Sequence, residues 1–141
     1  MFVVIVTTSF TKLYGGSMGL MSGLLGNASE IPVSEALAEL RPILIDGETI
    51  EHAYKLVRDQ IIFTSKRVIT IDKQGLTGSK QNIRSIPYKS IKMISKEGAG
   101  MLDLDAELVI WITGEPQPLK FEFKKGVDIN QVYTLICKHI L

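Results

Sequence analysis

The 141-residue sequence holds one cysteine, Cys137, two histidines, His52 and His139, and one tryptophan, Trp111. A lone thiol excludes an intramolecular disulfide and a cysteine-rich metal site, which fits a reducing compartment. An excess of one charge is missing too. Sixteen Lys plus Arg stand against 15 Asp plus Glu, a net charge of +1, so bulk electrostatics gives no reason to expect nucleic acid or an anionic membrane as the main partner. The longest apolar run near the start, Phe2–Val6, falls far short of the ~20 residues of a membrane-spanning helix. It also lacks the basic flank and length of a secretory signal. The expected location is cytoplasmic.

Catalytic motifs are equally scarce. Triads, phosphate-cradling loops and dinucleotide fingerprints do not occur, and "GLTG" (Gly75–Gly78) is too short and follows hairpin chemistry. Neither histidine has a Cys or carboxylate at zinc-ligand spacing. Asp103, Asp105 and Glu107 share a strand face, but alternate strand positions lie roughly 6–7 Å apart, too far to converge on one ion. They read as a solvated face or a row of cross-strand pairs. Cys137 lies on an apolar helical stripe and reads as a small core residue. No enzyme activity, metal or cofactor is expected.

What is present points to one domain. A chain of this length buries roughly 70% of its unfolded surface, and 45% apolar with 22% charged residues is ordinary for a globular protein. Residues 1–17 do not blend with the rest: "MFVVIVTTSF" has strand character, "YGGS" breaks it, and Met18 offers a second start. They read as an upstream extension, the competing reading being an edge strand that swaps onto a neighbour. "PVSEALAELRPIL" predicts a short helix capped by Ser34 and stopped by Pro42. "DLDAELVIWIT" alternates over ten positions, Leu104, Ala106, Leu108, Ile110 and Ile112 against Asp103, Asp105, Glu107, Val109 and Trp111, the pattern of a strand with one buried face. "LKFEFK" repeats it across "GEPQP", which makes an antiparallel hairpin and places acids of one strand opposite lysines of the other. "VDINQVYTLICKHIL" predicts a terminal helix capped by Asp128, with Ile129, Val132, Tyr133, Ile136, Cys137 and Ile140 as its apolar stripe. Further short strands are expected near Ile50–Val57, Gln60–Phe63, Val68–Asp72, Ile83–Tyr88 and Ile91–Ser95, with a hairpin turning at Ser65-Lys66. About seven strands and a helix that covers apolar sheet surface make an α+β fold.

"FTSKRVITIDKQGLTGSKQNIRSIPYKSI", Phe63 to Ile91, resembles the signature of bacterial pleckstrin-homology (PH) domains of the single-domain kind. The resemblance rests on Phe63-Thr64-Ser65-Lys66-Arg67, on Gly75 and Gly78 with Lys80, and on Ile86-Pro87-Tyr88 with Ile91; Ser65 stands where Asn is more usual. It extends from about Met18 to the end. It implies a PH-like, partly open antiparallel β-barrel of two roughly orthogonal sheets, closed at one end by the C-terminal helix. It also implies a cyclic homo-oligomer, a pentamer, joined through strand edges, with protein–protein contacts on the ring surface and no catalysis.

Two sets of candidate site residues follow. Lys55, Arg58, Lys66 and Arg67 are basic positions at hairpin ends. Eukaryotic PH domains hold phosphoinositides with a basic cluster in the first hairpin, but here Asp59 partly cancels Lys55 and Arg58. Wet turns are the expectation, and anionic lipid or phosphate headgroup binding is the alternative. Val109 and Trp111 point away from the apolar stripe of their strand, either as a contact patch for a partner or under a bend or helix that covers them. Open barrel edges seek further strands, so the leading expectation is a ring-forming interaction module whose partners are its own copies and another protein.

Overall fold

The computed structural model describes residues 28–56, 59–98, 106–124 and 126–141. The segment 1–17 and the candidates Arg58, Asp103 and Asp105 therefore lie outside the described residues. In chain order the elements are β1 (Ser29–Glu30), α1 (Val33–Leu40), β2 (Ile50–Leu56), β3 (Asp59–Thr64), β4 (Arg67–Gln74), β5 (Lys80–Pro87), β6 (Ile91–Glu97), β7 (Ala106–Ile112), β8 (Leu119–Phe123) and α2 (Ile129–Ile140). Strands β1 to β5 form one antiparallel sheet in sequence order, and β6 to β8 form a second. This is the partly open PH-like barrel. The eighth strand, absent from the sequence reading, is the two-residue β1.

The apolar run Ile61-Ile62-Phe63 has a simple cause: β3 is covered on both faces. Ile61 and Phe63 enter the barrel core with Tyr54, Leu56, Val68, Leu108, Ile110, Phe121 and Phe123. Ile62 points the other way, into a second cluster where Ala36 and Leu40 of α1 pack on Ala53, Ile69 and Ile71. The turn at Ser65-Lys66 separates β3 from β4, as the polar break between the two apolar runs predicts.

Helix α2 covers the barrel end. Ile129, Val132, Leu135 and Ile136 are buried in the main core, and Tyr133 and Ile140 flank it; burial of such aliphatic side chains stabilises by about 1.5–3 kcal/mol each. Asp128 caps it, its carboxylate accepting the Asn130 N–H at 3.0 Å. Leu135 joins the buried face although the stripe read from the sequence omits it.

Two expectations are corrected. Ser34 is not a cap: the N-cap is Pro32, without a side-chain hydrogen bond, so Ser34 lies inside α1. Among the described residues the expected acid–lysine pairing does not form either. Glu107 stands opposite Glu122, and Lys120 stands opposite Val109, because the Pro-containing turn sets a register that the alternation alone does not fix.

Among the described residues one seam of the barrel is bridged and the other is not. The Ala28 N–H donates to the Glu122 carbonyl at 2.7 Å and the Lys124 N–H to the Ala28 carbonyl at 2.9 Å, while Ser29–Glu30 pairs with β2. The entering chain thus ties β8 to β2. At the opposite seam β5 and β6 follow each other through the turn Tyr88–Ser90, yet each has a strand partner on one side only among the described residues.

Candidate interaction surface

The basic candidates separate in space. Lys55 stands opposite Gln60 near the start of β3, whereas Lys66 and Arg67 follow its end, an offset of roughly 15–20 Å along an extended strand. The structure does not bring Lys55 and Lys66 to one ligand-sized site. Arg67 is engaged: its Nε and one terminal nitrogen donate to the two oxygens of Glu48 at 2.9 and 3.0 Å, and its other contacts are Ser85 Oγ and the Ile43 carbonyl, both at 2.6 Å.

Glu48 explains the "FTSKR" and "IPY" segments as a structural clamp. Its side chain is fully buried, held after a turn in which Gly47 takes φ +78°, a conformation that disfavours residues with a Cβ. Thr64 Oγ1 donates to Glu48 at 2.7 Å and accepts the Lys66 and Arg67 N–H groups. Tyr88 then donates its hydroxyl to the Thr64 carbonyl at 2.6 Å. Burial by itself raises the Glu48 pKa, but hydrogen bonds from Arg67, Thr64 and the Ile45 N–H, with the Arg67 charge, outweigh it and hold the carboxyl below its ordinary value. Burial pushes the Tyr88 and Tyr54 phenols far up, nearby carboxylates adding to it, so both stay neutral and Tyr88 keeps the proton it donates to Thr64.

The histidines also serve the scaffold. His139 stacks on Tyr88 with ring centroids 4.0 Å apart and 6° between planes, its Nε2 3.7 Å from Glu51. His52 stacks on Tyr54 and lies 3.4 Å from Glu30. Cys137 is half-buried on α2. Among the described residues no group of three His, Cys, Asp or Glu is arranged to hold a metal ion, and no helix is long and apolar enough to cross a membrane.

The outward face of the three-stranded sheet is different. Inner positions Leu108 and Ile110 belong to the core, with Ile94 and Ile112 packed against it; Val109, Trp111 and Met93 belong to neither core cluster. Val109, one of the two contact candidates, is nonetheless only 7% exposed, flanked by its register partners Ser95 and Lys120. Trp111 is half-buried, and its register partner Met93 is 48% exposed. The apolar patch is thus Met93 with Trp111. Met93 escapes sequence reading because the register shifts between Ile91 and Met93; a bulge there reverses the alternation, so Ile91 faces in and Met93 faces out.

Comparison with known proteins agrees with this architecture. The bacterial PH domain family profile matches residues 19–140. The chain is 51% identical over 124 residues to the uncharacterized protein YjqA of Bacillus subtilis (strain 168), spanning 85% of this chain and 99% of that protein. It is 37% identical over 103 residues to YozO of the same organism, spanning 72% and 87%. Among solved structures it is similar to a DUF1696 family protein with a pleckstrin-homology domain from Shewanella loihica PV-4, with TM-score 0.75 and 46% identity over 82% of this chain and 99% of that one. A pleckstrin-homology domain from Shewanella amazonensis SB2B gives TM-score 0.64 and 49% identity over 87% and 99%. With its two unclosed sheets and terminal helix, this chain belongs to the bacterial PH domain family.

Proposed function

We propose that this PH domain is a non-catalytic interaction module that assembles with copies of itself into a closed ring through its strand edges and offers the ring surface to a protein partner. The observation that carries the reading is the open seam: β5 and β6 each have one strand partner among the described residues. A free edge is a template for intermolecular pairing, and head-to-tail pairing of unlike edges closes into a ring when the rotation permits. The fold itself supports an interaction module in general, and the polar groups described above are spent on structure rather than gathered around a reaction site.

Light scattering coupled to size separation tests the assembly, with a particle several times the 15.6 kDa chain mass as the expected result. A monomer at micromolar concentration overturns the ring. Hydrogen exchange adds the location: amides of β5 and β6 slow on going from dilute to concentrated protein, while those of β3 do not change. Anionic vesicles are expected to leave the protein in the supernatant, because Lys55 and Lys66 are separated and Arg67 is held by Glu48. Pelleting that disappears in a Lys55→Ala, Lys66→Ala double variant would instead favour a headgroup binder.

A further inference from the structure

This inference rests on the self-assembly just proposed and names a second contact within it. The outward face of β6–β8 has two unlike ends. Met93 and Trp111 make one end apolar. At the other, Glu97, Glu107 and Glu122 stand in lateral register across all three strands. Like charges directly opposite on a sheet repel, and Glu97 and Glu107 form no ion pair among the described residues. Lys120 flanks Glu122 on this face, which leaves Glu97 and Glu107 as the acids for an occupant to match. That occupant needs an apolar tip and a cation no more than about 13 Å away, the four-residue step from Trp111 to Glu107.

The chain carries such a segment. The turn between β4 and β5 is built on Gly75 and Gly78, both at positive φ, and closed by the Gly78 N–H donating to the Gly75 carbonyl at 3.3 Å. It projects Leu76, whose side chain is fully exposed at 104%. Lys80, also exposed, opens β5 four residues later. Full exposure of Leu76 means that the tip does not touch the sheet of its own chain. We infer that the β4–β5 hairpin tip of one copy seats on the outward face of β6–β8 of the next, Leu76 against Met93 and Trp111 and Lys80 against the Glu97–Glu107 end. Tip and face are different surfaces of one chain, so the contact is heterologous, the kind that closes into a ring.

Sedimentation velocity over a dilution series of the full chain tests this. Leu76→Asp and Trp111→Ser are each expected to raise the concentration of half-dissociation about tenfold or more, with unchanged circular dichroism, since both residues lie outside the core. Glu107→Lys and Lys80→Glu each weaken assembly, and the two together in one chain restore it. Glu107 sits in the central strand, so edge pairing alone cannot couple it to Lys80. A wild-type monomer would sink the ring and this contact together. A wild-type oligomer that Leu76→Asp leaves intact, with no rescue in the double reversal, would sink this contact and leave edge-mediated assembly standing.

Discussion

Helix α1 covers the outer face of β2–β4 in the five-stranded sheet, whereas among the described residues no helix covers the outer face of the three-stranded sheet. Both sheets turn Ile61, Phe63, Leu108, Ile110 and Phe121 into a common core. On the far side of the first sheet, Ile62, Ile69 and Ile71 lie under Ala36 and Leu40 of α1. On the far side of the second, Met93 and Trp111 have no such helix among the described residues, and three glutamates share a row. The contrast separates two uses of an apolar side chain. Where aliphatic groups alternate with aliphatic groups, the sheet needs a second layer and the chain supplies it. Where apolar and charged groups mix on one face, the face stays open to solvent or to another molecule.

Substitution on the covered outer face breaks the comparison hardest. Ile69→Ala is expected to destabilise the protein by about 3 kcal/mol, through lost transfer energy and the cavity left beneath α1, read from the midpoint of urea unfolding. Next in size is the clamp that pins the turn between β3 and β4 of the same sheet. Glu48→Gln removes the charge that neutralises Arg67, which is only 18% exposed, and is expected to cost about 2 kcal/mol, below the 3–5 of a fully buried broken pair. The pH dependence carries the signature. Because the folded Glu48 pKa lies below its ordinary value of 4.5, its contribution is complete above that pH and is lost as pH falls through the lower folded value. The wild-type and Glu48→Gln stability curves should therefore converge on acidification.

The covered sheet was also the easier one to read. Its doubly apolar strands, the break at Ser65-Lys66 and the Phe63–Arg67 and Ile86–Tyr88 segments stand in the sequence, and the structure joins the last two through Thr64 and Tyr88. The role of Glu48 was not legible, since it lies sixteen residues from Thr64 and no local pattern links them. On the open sheet, alternation identified β7 and its outward Trp111, but two facts were hidden for one reason: both depend on pairing between strands. The bulge beside Lys92 decides that Met93 faces out, and the register decides that Glu107 meets Glu122 rather than a lysine. Val109 shows the same limit, because its burial comes from neighbours on other strands.

A smaller effect sharpens the contrast. Trp111→Ser is expected to change the unfolding free energy by less than about 1 kcal/mol, the range of surface positions that fill no core, measured at concentrations where the protein is dissociated. A loss comparable to that of Ile69→Ala would mean that Trp111 closes a hidden core, and the two outer faces would then be alike.

The smallest expected effect has the opposite sign. Glu107 has Glu97 on one side and Glu122 on the other, so Glu107→Gln removes two like-charge contacts and should stabilise the dissociated chain by about 0.5 kcal/mol. The gain should shrink between low salt and 1 M salt, where the screening length falls to about 3 Å, less than the strand spacing of nearly 5 Å. The same substitution should weaken assembly if the glutamate row receives Lys80 of a neighbour. A residue that costs the isolated chain stability and gives it back on association belongs to an interface, whereas a gain that persists in 1 M salt would assign the effect to packing and remove the electrostatic argument for the open face.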